Sequence, residues 1–118
     1  PWFYGSGTWF VEPADSGLPF ATVMTISTTG RVANIYDTAV AWDTIAHCNM
    51  NDNVLMVVWA RKVTPVGTPI VAKLVFESNS NDYTKSIYAD FPASTNTWQQ
   101  FAFNFTCKAS YTSPGAAA

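Results

Sequence analysis

A tryptophan close to an arginine in the middle of this sequence could bind a flat, neutral ligand. Trp59 and Arg61 end the stretch 53–62, and they share one face of it if the stretch is a strand. An indole ring buries an apolar surface, and a guanidinium group donates several hydrogen bonds in one plane. The pair therefore favours a binding surface, although a strand that is buried on both sides and emerges at its end would show the same pattern.

Two later stretches place polar side chains on the same side as this pair. Phenylalanines line one face of the stretch 97–107, which has the cleanest alternation in the chain. If that face is the core, Gln100 points to the opposite side, and Lys73 does so by the same parity. Amide and ammonium groups satisfy sugar hydroxyls, while an aromatic ring covers the apolar face of a pyranose. The alternative is an ordinary solvated sheet face. The predicted carbohydrate-binding residues of these strands are Trp59, Arg61, Lys73 and Gln100.

Catalytic and metal motifs are missing from the sequence. His47 is the only histidine, and no H-E-x-x-H, Cys/His cluster or G-x-S-x-G motif is present. Retaining glycosidases need two carboxylates about 5–5.5 Å apart, and the only glutamates are Glu12 and Glu77. The chain is therefore predicted not to be an enzyme and to require no cofactor. Oxygen ligands for a structural calcium ion could come from loop residues, namely Asp15, Asn81, Asp82 and Asp90.

Composition indicates one domain that does not rely on ionic partners. The chain has 118 residues, of which 15% are aromatic and 12% charged, with a net charge of −2. That charged fraction is roughly half of the usual ~25%. The sequence has no basic stripe for nucleic acid and no apolar run near the ~20 residues of a membrane helix. One domain is predicted over 1–109, followed by a linker or frayed tail over 110–118.

Two cysteines, Cys48 and Cys107, leave two readings open. In a cytosolic protein they would be free thiols. The sequon at 104–106, the loops rich in Thr, Ser and Asn and the low charge favour a secreted, extracellular protein. In that compartment a disulfide between the two cysteines is predicted. It would close a loop of about 60 residues and stabilise the fold by about 4 kcal/mol.

Alternating apolar residues between turn residues predict an all-β chain. No window shows a convincing 3.6-residue period, so helices are not expected. The stretch 1–7 is interpreted as an aromatic cluster and a turn, and Pro92 is expected to end the strand before it. A sandwich or barrel is the fold class that this spacing favours. Strands are predicted at 8–11, 20–28, 31–36, 39–48, 53–62, 70–77, 83–91 and 97–107.

Four short motifs in a fixed order resemble a known family. They read W-D-T-I-A at 42–46, V-L-M-V-V-W-A-R at 54–61, I-V-A-K-L at 70–74 and T-W-Q-Q-F-A-F-N-F-T at 97–106. The order and spacing are similar to the jelly-roll carbohydrate-binding modules of the family four, nine and twenty-two type, over roughly residues 2 to 107. The family's opening N-G-x-F-E strand and closing I-D-D-V-x-L strand, which often hold calcium in such modules, have no match in this sequence.

This resemblance implies a jelly-roll β-sandwich that is galactose-binding-domain-like. It implies a non-catalytic, lectin-like function: binding of a β-glucan or xylan chain on a concave sheet face, with an attached catalytic domain as a further partner. Tyr4, Tyr83 and Tyr88 match positions where an aromatic residue stacks on sugar in such modules, although tyrosines with a packed ring and a surface hydroxyl are common. A structural or adhesion β-sandwich that contacts another protein is the alternative function.

Overall fold

All regular secondary structure in the described part of the chain is β-strand. The structure, a computed structural model, describes residues 2–5, 7–28, 38–41, 47–63, 70–78, 83–93 and 95–111. These ranges contain no helix long and apolar enough to cross a membrane. The all-β prediction is confirmed. The strands are β1 (Trp2–Gly5), β2 (Gly7–Pro13), β3 (Thr22–Thr28), β4 (Thr38–Ala41), β5 (Asn53–Ala60), β6 (Ile70–Glu77), β7 (Lys85–Ala93) and β8 (Gln99–Thr106).

Two predicted boundaries are wrong, and proline and long-range pairing explain them. β7 continues through Pro92, which lies opposite Val71 of β6. A proline is tolerated in a ladder where its missing N–H would face away from the partner strand. The stretch 1–7 contains β1, because Trp2–Gly5 pairs with β4, more than 30 residues away in the sequence. The predicted strand at 31–36 and the later part of the one at 39–48 lie outside the described residues.

The chain divides into two compact units, Pro1–Ala41 and Trp42–Ala118. In the first unit, β1 pairs with β4 and β2 pairs with β3. In the second unit, β5 pairs with β8 and β6 pairs with β7. All four ladders are antiparallel. One domain across residues 1–109 and the jelly-roll connection of the strands stay predictions.

The β5–β8 ladder has one face on the core and one face towards solvent. Val54 lies opposite Phe105, and both are partly buried against the core. Leu55 lies opposite Asn104 on the other side, where the leucine is 67% exposed. Successive side chains of a strand point to opposite faces, so the alternation in the sequence decides which residues are buried. The predicted parity of both strands is confirmed. We call the side with Leu55 the outer face of this ladder.

The core of the second unit is built around one phenylalanine. Phe76 of β6 is 2% exposed, and its ring centroid lies 5.4 Å from that of Phe105 and 4.9 Å from that of Tyr111. Tilted and edge-to-face rings at such distances stabilise each other beyond their buried area. Ile87 of β7 packs against the same cluster. The two ladders of this unit therefore share one core.

Tyr111 is part of this core and not of a tail. Its exposed fraction is 4%, and its backbone bonds reciprocally to Cys48, with N···O distances of 2.7 and 3.2 Å. Its hydroxyl lies 2.5 Å from the hydroxyl of buried Ser86 and also reaches the carbonyl of Thr84. Ser86 in turn accepts a hydrogen bond from the N–H of Lys108. Tyr111 therefore does not belong to the linker or frayed tail predicted over 110–118, whose later residues lie outside the described part of the chain.

Cys107 lies next to Cys48 in this core and is only 1% exposed. Burial raises the pKa of the Cys107 thiol to about 11, and the Cys48 thiol and the charge of Asp52 act in the same direction. A thiolate is disfavoured where water is excluded. Both cysteines are thiols in this structure. The disulfide between them stays a prediction.

Replacing Phe76 by Ala should lower the free energy of unfolding by about 3–5 kcal/mol, because the change leaves a cavity in a packed core. Leu55→Ala is the matched control, since it shortens an exposed side chain and should change stability by less than about 0.5 kcal/mol. Urea unfolding followed by tryptophan fluorescence measures both. A loss of several kcal/mol in Leu55→Ala would show that the core is placed on the wrong face of β5.

Stability of the reduced protein should fall between pH 9 and pH 11. The folded chain holds the Cys107 proton up to about pH 11, whereas a thiol ordinarily loses it near 9.0. The unfolded chain therefore releases this proton first, and the free energy of unfolding falls by about 2–3 kcal/mol as pH rises through the window. Cys107→Ala should lack this part of the loss. Identical slopes for the two proteins in urea unfolding at each pH would contradict the burial of a neutral thiol.

Candidate ligand-binding surface

A tryptophan and a glutamine face each other at one end of the β5–β8 ladder. Trp59 lies directly opposite Gln100, on the outer face. Gln100 is exposed and Trp59 is half-buried. The Cβ atoms of directly opposed residues in an antiparallel pair lie roughly 4.5–5.5 Å apart. The ladder therefore places an aromatic ring beside an amide, on the side of the strands where the sequence predicts both residues.

Arg61 extends this end of the ladder by stacking on a second tryptophan. Its guanidinium carbon lies 5.1 Å from the ring centroid of Trp98. The next residue, Lys62, donates its N–H to the carbonyl of Thr95 at 2.8 Å, which ties the end of β5 to the segment before β8. A guanidinium over an indole is attracted by the negative face of the ring. Arg61 is therefore held in place at the end of the strand.

Trp98 is not among the residues that the sequence analysis assigns to ligand binding. It lies two positions before Gln100 and so has the same parity. Its partner, Arg61, has the same parity as Trp59. Extending the period of two beyond both strand ends is the signal that would have found it. We define the first cluster as Trp59, Arg61, Trp98 and Gln100.

A second cluster lies on the β6–β7 ladder. Lys73 lies opposite Asp90 and forms an ion pair and hydrogen bond with it. The Lys73 ammonium also lies 4.9 Å from the ring centroid of Tyr88, which is 45% exposed. The hydrogen bond that the Lys73 ammonium donates to Asp90 is the main cause that raises the pKa of Lys73 above its usual value. Lys73, Tyr88 and Asp90 form what we define as the second cluster.

Asp90 corrects one expectation about calcium. Asp90 is predicted from the sequence to be a calcium ligand in a loop, but it lies within β7 and its carboxylate binds Lys73. Asn81 and Asp82 lie outside the described residues, and Asp15 is an exposed residue of the first unit. Within the described ranges, no three or more His, Cys, Asp or Glu side chains are placed to hold a metal ion.

The remaining tyrosines of the prediction lie apart from both clusters in the sequence. Tyr83 precedes β7, with an exposed side chain and a φ of 46°, and its carbonyl accepts a hydrogen bond from Lys85 at 3.3 Å. Tyr4 lies in β1 opposite Ala39, in the first unit, and its side chain is outside the description. Their roles in ligand binding stay predictions.

Both glutamates lie against polar partners. Glu77 lies 2.7 Å from the Lys85 ammonium, and Glu12 accepts a 2.5 Å hydrogen bond from Thr25. They also belong to different units of the chain. Neither glutamate belongs to either of the two clusters. What the clusters offer chemically is aromatic surface with hydrogen-bond donors and acceptors beside it.

No protein-family model, curated protein or solved structure matches this sequence. The likeness to carbohydrate-binding modules therefore stays a resemblance of motifs. The motif positions 54–61 and 97–106 include both strands of the first cluster, and 70–74 includes Lys73 of the second.

Arg61 and Trp98 should be energetically coupled. In a double-mutant cycle with Arg61→Ala, Trp98→Ala and the double variant, the coupling energy should be about 0.5–1 kcal/mol, as for a cation–π contact near the surface. Urea unfolding of the four proteins measures it. Lys108→Ala combined with Trp98→Ala is the control pair, since Lys108 follows the opposite end of β8. Strict additivity for Arg61 and Trp98 would contradict the stacked geometry.

Proposed function

We propose that this chain is a non-catalytic, secreted carbohydrate-binding module that binds a polysaccharide chain. The observation that supports this most directly is the register pair of Trp59 and Gln100. A sugar ring has an apolar C–H face and a rim of hydroxyl groups. An indole can bury the first, and an amide fixed beside it can donate to and accept from the second. A rigid ladder holds both groups before the ligand arrives, which lowers the entropic cost of binding.

Charge pairing in the second cluster supports a neutral ligand. Lys73 and Asp90 neutralise each other while leaving Tyr88 partly exposed beside them. The ammonium donates hydrogen bonds and the carboxylate accepts them, so together they match hydroxyl groups better than an anion. Only 12% of the chain is charged. A neutral β-glucan or xylan is therefore the proposed ligand class, and the chain's partner in a larger protein would be a catalytic domain.

Trp59→Ala should weaken polysaccharide binding at least tenfold, because the variant loses the stacking of a sugar ring on the indole and the apolar area that this stacking buries. Gln100→Ala and Arg61→Ala should each weaken it several-fold, as expected when a hydrogen bond worth about 1 kcal/mol is removed. Affinity electrophoresis in gels with soluble β-glucan, xylan or mannan measures the retardation. The free energy of unfolding of Arg61→Ala should stay within about 1 kcal/mol of the parent, the size of its contact with Trp98.

Lys108→Ala is the charge-matched control for Arg61→Ala. It removes one exposed cation beyond the opposite end of β8 and should leave retardation unchanged. A folded parent protein that none of the three polysaccharides retards would overturn the proposal. Equal weakening by Lys108→Ala would show that general charge, and not the first cluster, holds the ligand. Release of reducing sugar during incubation would show that the protein is a hydrolase and not a binding module.

The alternative, a structural or adhesion domain, is favoured by a different observation. In the first unit, several large apolar side chains of the β2–β3 ladder are exposed, and Trp9 and Ile26 lie directly opposite each other. Exposed apolar patches often mark contacts with other proteins. Such a contact predicts self-association or capture of a neighbouring domain, so sedimentation velocity at rising concentration distinguishes it from sugar binding. The exposed residues are Trp9, Phe10, Val11 and Ile26.

A further inference from the structure

The backbone holds the two cysteines together at the end of the β5–β8 ladder. The N–H of Asn51 donates to the carbonyl of Cys107 at 2.8 Å, and the N–H of Cys107 donates to the carbonyl of Asp52 at 2.9 Å. Cys48 forms an antiparallel bridge with Tyr111. The segments 47–52 and 107–111 are therefore paired independently of any bond between the sulfur atoms.

The Cys48 side chain packs against the buried cluster that contains Cys107. The two thiols are close enough for Cys48 to contribute to the raised pKa of Cys107. Disulfide geometry requires Cα atoms within about 7 Å and Cβ atoms that face each other. Paired backbones with both side chains turned into the core are suited to this requirement.

The two sulfur atoms differ in their access to reagents. Cys107 is 1% exposed, whereas Cys48 is half-buried. Burial and the neighbouring Cys48 raise the pKa of Cys107, which keeps its thiol protonated and unreactive near neutral pH. An external disulfide therefore meets Cys48 first. Once Cys48 is in a mixed disulfide it no longer contributes a thiol or thiolate, so one of the causes that disfavour the Cys107 thiolate is removed.

We propose that Cys48 and Cys107 form a site of reversible modification by low-molecular-weight disulfides, in which Cys48 is the entry thiol and Cys107 the resolving thiol. The Cys48 thiolate attacks one sulfur of the external disulfide, forming a mixed disulfide and releasing one thiolate, which takes up a proton. The Cys107 thiolate then attacks the Cys48 sulfur and releases the second thiol. Two cysteine thiols are oxidised to one disulfide, and the external disulfide is reduced to two thiols.

This inference is independent of carbohydrate binding, because the two cysteines face the core and the first cluster lies at the other end of the ladder. The internal bond would link the segment before β5 to the segment after β8. The loop that it closes includes β5, β6, β7 and β8. Restricting a loop of this length in the unfolded chain should raise Tm by on the order of 10 °C.

The test uses reduced, desalted protein and glutathione disulfide, with acid quenching and intact-mass analysis. The parent protein should end two hydrogens lighter with no adduct. Cys107→Ala should stop at one bound glutathione, and Cys48→Ala should gain glutathione at least tenfold more slowly than Cys107→Ala. Circular dichroism confirms that each variant is folded. The two cysteines fall in different tryptic peptides, 32–61 and 86–108, so the transient adduct on the parent protein can be mapped without any substitution.

An adduct that appears first on the peptide 86–108 would overturn the assigned order. Two glutathiones on the parent protein, or dimers linked through Cys48, would overturn the internal bond. A Tm that is the same for the oxidised and reduced parent proteins would show that the bond does not restrict the fold. If Cys107→Ala fails to fold, the tryptic map of the parent protein still shows which cysteine binds glutathione first.

Discussion

Contact of Phe76 with Phe105 and Tyr111 is the interaction on which the second unit depends. A two-stranded ladder is marginal in water by itself, because it cannot bury both faces. Phe76 belongs to one ladder and Phe105 to the other, and their rings meet in the core. Tyr111 adds the segment after β8 to the same cluster. These ring contacts therefore join the two ladders of the second unit and the segment after β8.

Burial of one face of each strand determines what the other face presents. In a strand with a period of two, placing Val54 and Phe105 in the core turns Leu55 and Asn104 outward. The first cluster follows from the same parity at the far end of the ladder. A slip of one residue in register would bury the polar residues of β8 and expose its phenylalanines. The core thus holds the first cluster in place, although no core residue belongs to that cluster.

Alternation in the sequence is enough to predict the faces of β8, because phenylalanine occupies every second position from 101 to 105. β5 is apolar at every position from 54 to 60, and its outer face is predicted from Trp59 and Arg61 at its end. Alternation is not enough to predict Tyr111, which stands in a segment whose Ser, Pro, Gly and Ala content is typical of a tail. The pairing of Lys73 with Asp90 depends on the register between two strands and not on local pattern. Which residues of different strands meet is decided by tertiary packing, and parity alone leaves the partner open.

Cations of the two clusters are held by rings and a carboxylate. Arg61 lies over Trp98, and Lys73 lies between Asp90 and Tyr88. Such contacts reduce the rotamer freedom of long side chains before a ligand binds, so less entropy is lost when their N–H groups donate to it. The Lys73–Asp90 pair also balances charge beside the exposed ring of Tyr88. Under the proposed function, such a surface would select a neutral ligand by its shape and hydroxyl pattern, and its affinity should depend little on ionic strength.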